Sequence, residues 1–526
     1  MKLTQLFNGL GPHRRKVTTK NAQAQRYFDQ GLNFLFAFNH DEAIRSFQQA
    51  AVYDPSCAMA YWGIATANGP HINFPLVPPD RAKVAWEALT HAKALTANAT
   101  EVEKALIDTL SQRFASPQPE DRSPLDKAYA AAMRTVRQRY PSDADVGALF
   151  AEALMDLRPW DLWKKDGKPQ PETPEILATL EAVLAKNPAH PLALHLYIHA
   201  VEAGPHPEKG AKAADRLRPL QPGLGHMTHM PSHIDVRLGK WQQAIEANQR
   251  AIESDRKYVA ASGKEQGFYR IYMAHNRHML AFAAMMQGES RRATASIKAM
   301  LEEMPAKWKE ENAVFADGFH AMPFEFLVRF GKWDQVLVQP EPPPYFPITR
   351  ALRHSSRGVA LAALGRTKEA RESQRVFREA VSKTPKDAFF GNNTAADLFA
   401  LADTMLEGEI LLREGKRPEG LVMLRKAVEK EDQLRYDEPP DWVQPVRHAL
   451  GAALMASGKP VEAEQVYRAD LRILPENGWS LFGLAQSLKA QGKTVEAAQV
   501  SARYKQVWRR ADVVLTSSCF CQPPKK

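Results

Sequence analysis

Cysteine is nearly missing from this sequence: Cys57, Cys519 and Cys521 are the only three in 526 residues. That scarcity excludes a disulfide framework, and with no CxxC pair it excludes a thiolate-rich structural zinc site. Long apolar runs are missing as well. None approaches the roughly 20 residues of a membrane-spanning helix, so no membrane partner is expected. LTQLF, near the start, is too short for the core of a secretory signal. As it stands the chain reads as cytoplasmic, or as periplasmic or secreted if a leader has been removed. GxxxxGK[ST], GxGxxG and GxSxG are all absent, which removes the common phosphate-loop and serine-nucleophile classes.

A run of basic residues interleaved with aromatics is also lacking. The formal net charge is +10, yet acidic residues accompany the basic ones in KWKEENAVF and LRKAVEKEDQLRY. Such mixing marks a solvated helical surface, and nucleic acid is not expected as a partner.

Repetition is what the sequence does have. SGKPVEAEQVYRADLRILP is followed by QGKTVEAAQVSARYKQVW, which sets Gly458 and Gly492 34 residues apart, and Ala463 and Ala497 likewise. A glycine that ends one helix and an alanine that lets the next pack closely describe a two-helix repeat. This pattern resembles the tetratricopeptide repeat. The clearest copy carries Tyr27, Gly31, Phe34, Ala43, Phe47, Ala50 and Pro55 at the signature spacings. Partial copies follow at Gly239 and Ala244, Gly288 and Ala293, and Gly365 and Ala370, while Gly415 is followed by Gly420 where alanine is expected. The whole chain is also similar to a poorly characterised bacterial group of such proteins with a histidine-rich central region. The similarity runs through CAMAYWGIATANGPHINFP, LALHLYIHAVEAG, GHMTHMPSHIDVRLGKW and YMAHNRHML to RYDEPPDWVQPVRHALGAALMASGKPVEAEQVYRADL and PENGWSLFGL.

The fold expected is all-α, a right-handed superhelix of antiparallel helix pairs with long proline-rich loops. Those loops are FPLVPPD, SPQPEDRSP, KPQPETPE, QPEPPPYFP and YDEPPDWVQP, where proline stops helices. They read as the walls and lid of a pocket. The expected divisions are an N-terminal repeat region (1–115), degenerate central repeats with a histidine cluster (116–345), C-terminal repeats (346–510) and a tail (511–526). The CxC of the tail can bind a soft ion or form a strained disulfide, a disordered tail being the favoured reading, and Cys57 reads as a buried small apolar residue. The loop bearing Tyr436, Asp437, Glu438, Trp442 and Arg447, and the pair Trp160 and Trp163, read as buried loop packing, as a pocket wall or as a partner-binding edge.

Half of the sixteen histidines lie between His195 and His278. In HLYIHAVE, His195 and His199 are four apart and Glu202 three further on, one stripe of one helix face. Two imidazoles at that spacing can meet one metal ion. In GHMTHMPSHI, Pro231 fits a first helical turn, so His233 begins a helix and His226 and His229 approach it. His275 and His278 follow on a further helix, and His71 and His320 are singletons able to reach the same space. Few acids stand among these residues, which disfavours magnesium and calcium. Imidazoles with Met227, Met230 and Met273 nearby favour copper, with zinc or iron as alternatives. The function expected is a histidine-ligated metalloenzyme, an oxidoreductase acting on a small molecule. The alternative is a repeat scaffold that binds a peptide or protein partner.

Overall fold

The computed structural model describes residues 3–521. The fold is all-α, with helices joined in antiparallel pairs and, among the described residues, a single two-residue hairpin pairing Phe389–Phe390 with Asn393–Thr394. The chain forms two compact units, Met1–Ile234 with Ala247–Met273, and Asp235–Glu246 with Ala274–Lys526.

In the first unit the opening pair is Ala22–Phe36 and His40–Tyr53, followed by Ala58–Ala67. Phe47 lies between the outer helices of this trio. A Cβ on Gly31 would stand 2.7 Å from its ring, and one on Gly63 2.5 Å. Bare backbone on both sides is what admits a phenyl group there. The second unit repeats the device with Tyr467, whose ring a Cβ on Gly451 would meet at 2.4 Å and one on Gly483 at 2.2 Å. In both units the two glycines flank an aromatic residue sixteen positions from each.

The turns follow the sequence pattern. Gly239, Gly288, Gly365, Gly415, Gly458 and Gly492 all adopt positive φ between 69° and 82°, the left-handed region that favours glycine after a helix. The alanines at the close-packing position of the next helix are buried: Ala43, Ala244, Ala293, Ala370 and Ala463 are all 0% exposed. One turn departs from the rule. After the Ala22–Phe36 helix the positive φ, 55°, falls on Phe38.

Within the second unit, buried Asp470 is a hub. It accepts from Ser480 Oγ (2.6 Å) and Asn477 Nδ2 (2.9 Å) and lies 2.9 Å from His448 Nε2. Arg329 lies over the Trp479 ring at 3.4 Å. The tail differs from the expected disorder: over residues 511–521, Leu515, Ser518 and Cys521 are buried. Apolar Leu515 and Phe520 give that segment something to bury, which a purely polar tail lacks.

The glycine–aromatic wedge is testable. Gly451→Ala and Gly483→Ala are each expected to cost about 1–3 kcal/mol in urea melts, and Tyr467→Leu combined with either is expected to cost less than the sum. Additive costs would contradict steric crowding at that ring.

Candidate metal centre

The Pro191–Glu202 helix begins with Pro191 at its first turn, and His190 accepts from the Ala193 N–H as its cap. The helix is buried along its whole length, so its inward stripe of His195, His199 and Glu202 faces protein. The short Gly225–His229 helix and the Pro231–Arg237 helix bring His226, His229 and His233 to the same place. These six side chains are between 0 and 6% exposed, so water does not satisfy them. Gly225 is needed at the entry, since a Cβ there would stand 2.0 Å from Asp255 Oδ1.

Four of the five rings, those of His195, His199, His229 and His233, are held by their outer nitrogens. His195 Nδ1 donates to the Phe36 carbonyl at 2.9 Å, which can only accept. His229 Nδ1 pairs with Asn248 Oδ1 at 2.6 Å. Glu202 takes two rings at once, with Oε1 2.7 Å from His199 Nδ1 and Oε2 in a short contact with His233 Nδ1. The Nε2 atoms then turn to one another: His195 to His226 at 3.1 Å and His229 to His233 at 2.7 Å. His199 Nε2 has no hydrogen-bond partner among the described residues. One ligand atom from each of His195, His199 and His226 lies within 4.8 Å of the others, and the same holds for His199, Glu202 and His233.

Electrostatics makes these rings bases with lone pairs to give. Burial pushes His195 and His229 well below the ordinary imidazole value, each aided by a neighbouring histidine. Burial also lowers His199, against the opposing pull of Glu202. Burial works against charge on Glu202 too, but His233 and His199 outweigh it and hold the carboxyl down to about 2. The result is a carboxylate held charged beside three rings, His195, His199 and His229, on which burial disfavours charge. A ring whose Nδ1 donates carries its lone pair on Nε2, and two such nitrogens in contact need a proton or a cation between them.

Two aromatic residues wall the group, Trp160, already readable as loop packing or a pocket wall, and Phe38, which the sequence did not mark as a site residue. Phe38, strained at φ 55°, sets its ring 4.4 Å from His195 and 5.8 Å from His226. Trp160, at φ 59°, packs edge-on to His199 at 5.2 Å and donates from Nε1 to Asn73 Oδ1 at 3.0 Å. Positive φ on a bulky residue is costly and gathers at functional sites. The available signal for Phe38 was its place in the turn where later repeats carry glycine. Trp163 ties its Nε1 to the Ala200 carbonyl (2.8 Å), bracing the ligand helix. A cavity of about 20 Å³, room for one water, opens among His199, Glu202, Trp160, Arg158 and Ile72.

His71, His278 and His320 each have neighbours of their own. His71 stacks on His40 at 4.1 Å and reaches the Phe38 ring at 4.9 Å, so it backs the aromatic wall. His275, His278 and His320 belong to the second unit. His275 is half-buried on the Tyr269–Met286 helix. His320 bonds the Ala316 carbonyl at 2.9 Å and packs at a tilt against Phe346. His278 is packed with Phe319 and Phe390. Met227 and Met230 are fully buried, and Met273 is half-buried.

His278 offers a pH test. Burial pushes it from 6.5 down to about 3, so between those values the unfolded chain takes up a proton that the folded chain refuses. Stability therefore falls as pH drops through that window. Relative to His278→Phe, the wild-type melting temperature is expected to fall progressively below pH 6.5. A difference that stays constant between pH 7 and 4 would contradict this.

Two segments, residues 351–373 and 444–469, match the family model described as tetratricopeptide repeat. No protein with a curated description matches the chain. Among solved structures, the human IFIT1 dimer with m7Gppp-AAAA is 13% identical over 93% of this chain and 91% of its own, with a TM-score of 0.36. The P58(IPK) TPR domain is 15% identical over 92% and 93%, at 0.22. Yeast Tom70 is 11% identical over 93% and 90%, at 0.31. At such identities, what those proteins bind does not carry over to this chain.

Proposed function

We propose that this tetratricopeptide-repeat chain holds a transition-metal ion, copper in first place and zinc or iron after it, in the imidazole pocket of its first unit. The observation that carries the reading is the outer-nitrogen bonding of the rings. Phe36, Glu202 and Asn248 occupy Nδ1 of His195, His199, His233 and His229, and so fix the orientation in which Nε2 points inward. Metal-ligating histidines are held in this way, by a carboxylate or a carbonyl on the far nitrogen.

His195, His199 and His226 are the first ligand set, and neutral imidazoles suit copper, zinc or iron. His229 and His233 face each other as a second pair beside them. Glu202 holds His199 and His233 in place and contributes the negative charge that offsets a cation. A bound copper ion supplies one-electron redox chemistry, and the oxidoreductase reading rests on that choice of ion. Phe38 and Trp160 keep the pocket apolar on two sides. The water-sized cavity at His199 limits what can approach to a very small molecule.

A peptide-binding scaffold is the second reading. It is favoured by the repeat architecture and by a cleft of about 520 Å³ in the second unit, lined by Ile297, Leu301, Met304, Pro323 and Phe326.

Metal analysis by mass spectrometry on untagged protein, grown with copper, zinc and iron supplied, separates the two. The metal reading expects about one equivalent, falling below about a tenth in His199→Ala and His226→Ala. Glu202→Gln should weaken affinity about 10–100-fold without removing a ligand from the first set. Less than about a tenth of an equivalent in the wild type would leave the scaffold reading standing alone.

A further inference from the structure

Residues 512–521 are fixed within the second unit at several points. Asp512 accepts from the backbone N–H groups of Ser290 and Arg291 at 2.8 and 3.0 Å. Ser518 Oγ donates to the His448 carbonyl at 2.8 Å and lies 2.7 Å from the Tyr467 hydroxyl. Phe520 packs edge-on to Trp479 at 5.6 Å. Between these anchors the CxC motif is delivered to the Ala395–Arg413 helix. There Arg413 donates to the Cys521 carbonyl, and Glu409, one turn earlier on the same face, approaches the sulfurs. One ligand atom from each of Glu409, Cys519 and Cys521 lies within 4.8 Å of the others. Glu409 is 1% exposed and Cys521 2%, so both would meet a cation away from bulk water.

The two cysteines are joined as a disulfide here. In that state neither sulfur has a thiolate to offer, and burial leaves the Glu409 carboxyl in a poorly hydrated place. Reduction changes the donor set to two thiols and one carboxyl within reach of a single ion.

We propose that Cys519, Cys521 and Glu409 form a second metal site, open only when the cysteine pair is reduced, for a thiophilic ion such as zinc. A dithiol reductant transfers two electrons and two protons to the sulfur–sulfur bond, giving two thiols and leaving the reductant as its own disulfide. Ion binding then releases the two thiol protons to solvent and forms two metal–thiolate bonds, with the Glu409 carboxylate as third donor. The Arg413 guanidinium beside Cys521 offsets part of the charge that results. The remaining coordination position is left to water or to an external ligand. This site shares no residue with the imidazole pocket and does not depend on it.

Cadmium is the probe, because thiolate-to-cadmium charge transfer absorbs in the ultraviolet and histidine binding does not give that band. Full-length protein is reduced with a dithiol, desalted without oxygen and titrated with Cd²⁺. The expected band saturates at about one equivalent, is absent from the oxidised protein and from Cys519→Ser/Cys521→Ser, and survives in Cys57→Ser. Glu409→Gln should weaken binding about tenfold or more. No band from the reduced wild type would overturn the proposal, as would a band that persists in the double serine variant. Unchanged affinity in Glu409→Gln would remove the carboxylate from the site. The comparison of reduced with oxidised wild type needs no variant to fold.

Discussion

Glu202 is a carboxylate sealed from water, and both of its oxygens are taken by imidazoles. A buried charge of this kind is tolerated only when fully paired, since desolvation costs several kcal/mol for an isolated ion. That requirement fixes His199 and His233 by their outer nitrogens and leaves their inner nitrogens pointing into the protein. His195 and His229 reach the same arrangement through neutral acceptors, Phe36 and Asn248. Removing the carboxylate would release two rings at once, because each depends on the same side chain.

The repeat architecture supplies rigidity for this arrangement. Helix pairs closed by glycine turns and packed on buried alanines leave little freedom in the ligand helix, and Trp163 ties that helix to its neighbouring loop. The unit is least relaxed next to the imidazoles. Phe38 and Trp160 both adopt a backbone conformation that costs a bulky residue about 1–3 kcal/mol, and both place an aromatic ring against a histidine. At the equivalent turns of later repeats, glycine avoids that cost. The second unit uses the same repeat chemistry without a histidine group of this sort among its described residues, and its buried polar hub at Asp470 is satisfied by serine, asparagine and histidine.

Much of the fold was legible in the sequence because repeats write themselves twice. Gly458 and Gly492 announce their turns by spacing alone, and both turn out to need positive φ. The helix stripe of His195, His199 and Glu202 was equally plain, since a spacing of four then three puts residues on one face whatever surrounds them. Other features were hidden. His71 and His320 carry no local pattern that separates a ligand from a packed ring, and only tertiary neighbours distinguish them. Asn248 as the partner of His229 is a contact across nineteen residues that no periodicity marks. Phe38 left one trace, a missing glycine. Over residues 511–521 the tail was misread because CxC in a short polar stretch resembles any loose end, whereas Leu515 is buried and Ser518 and Phe520 each find a partner in the second unit; residues 522–526 lie outside the described residues.

Crystals of the protein as isolated, measured on both sides of the copper, zinc and iron absorption edges, address the imidazole pocket directly. The expected result is an anomalous peak about 2.0–2.2 Å from ring nitrogens of His195, His199 and His226, with Glu202 bonded to the outer nitrogens and not to the ion. A well-ordered pocket with no anomalous peak, or metal found only elsewhere on the chain, would contradict the assignment of these imidazoles as ligands.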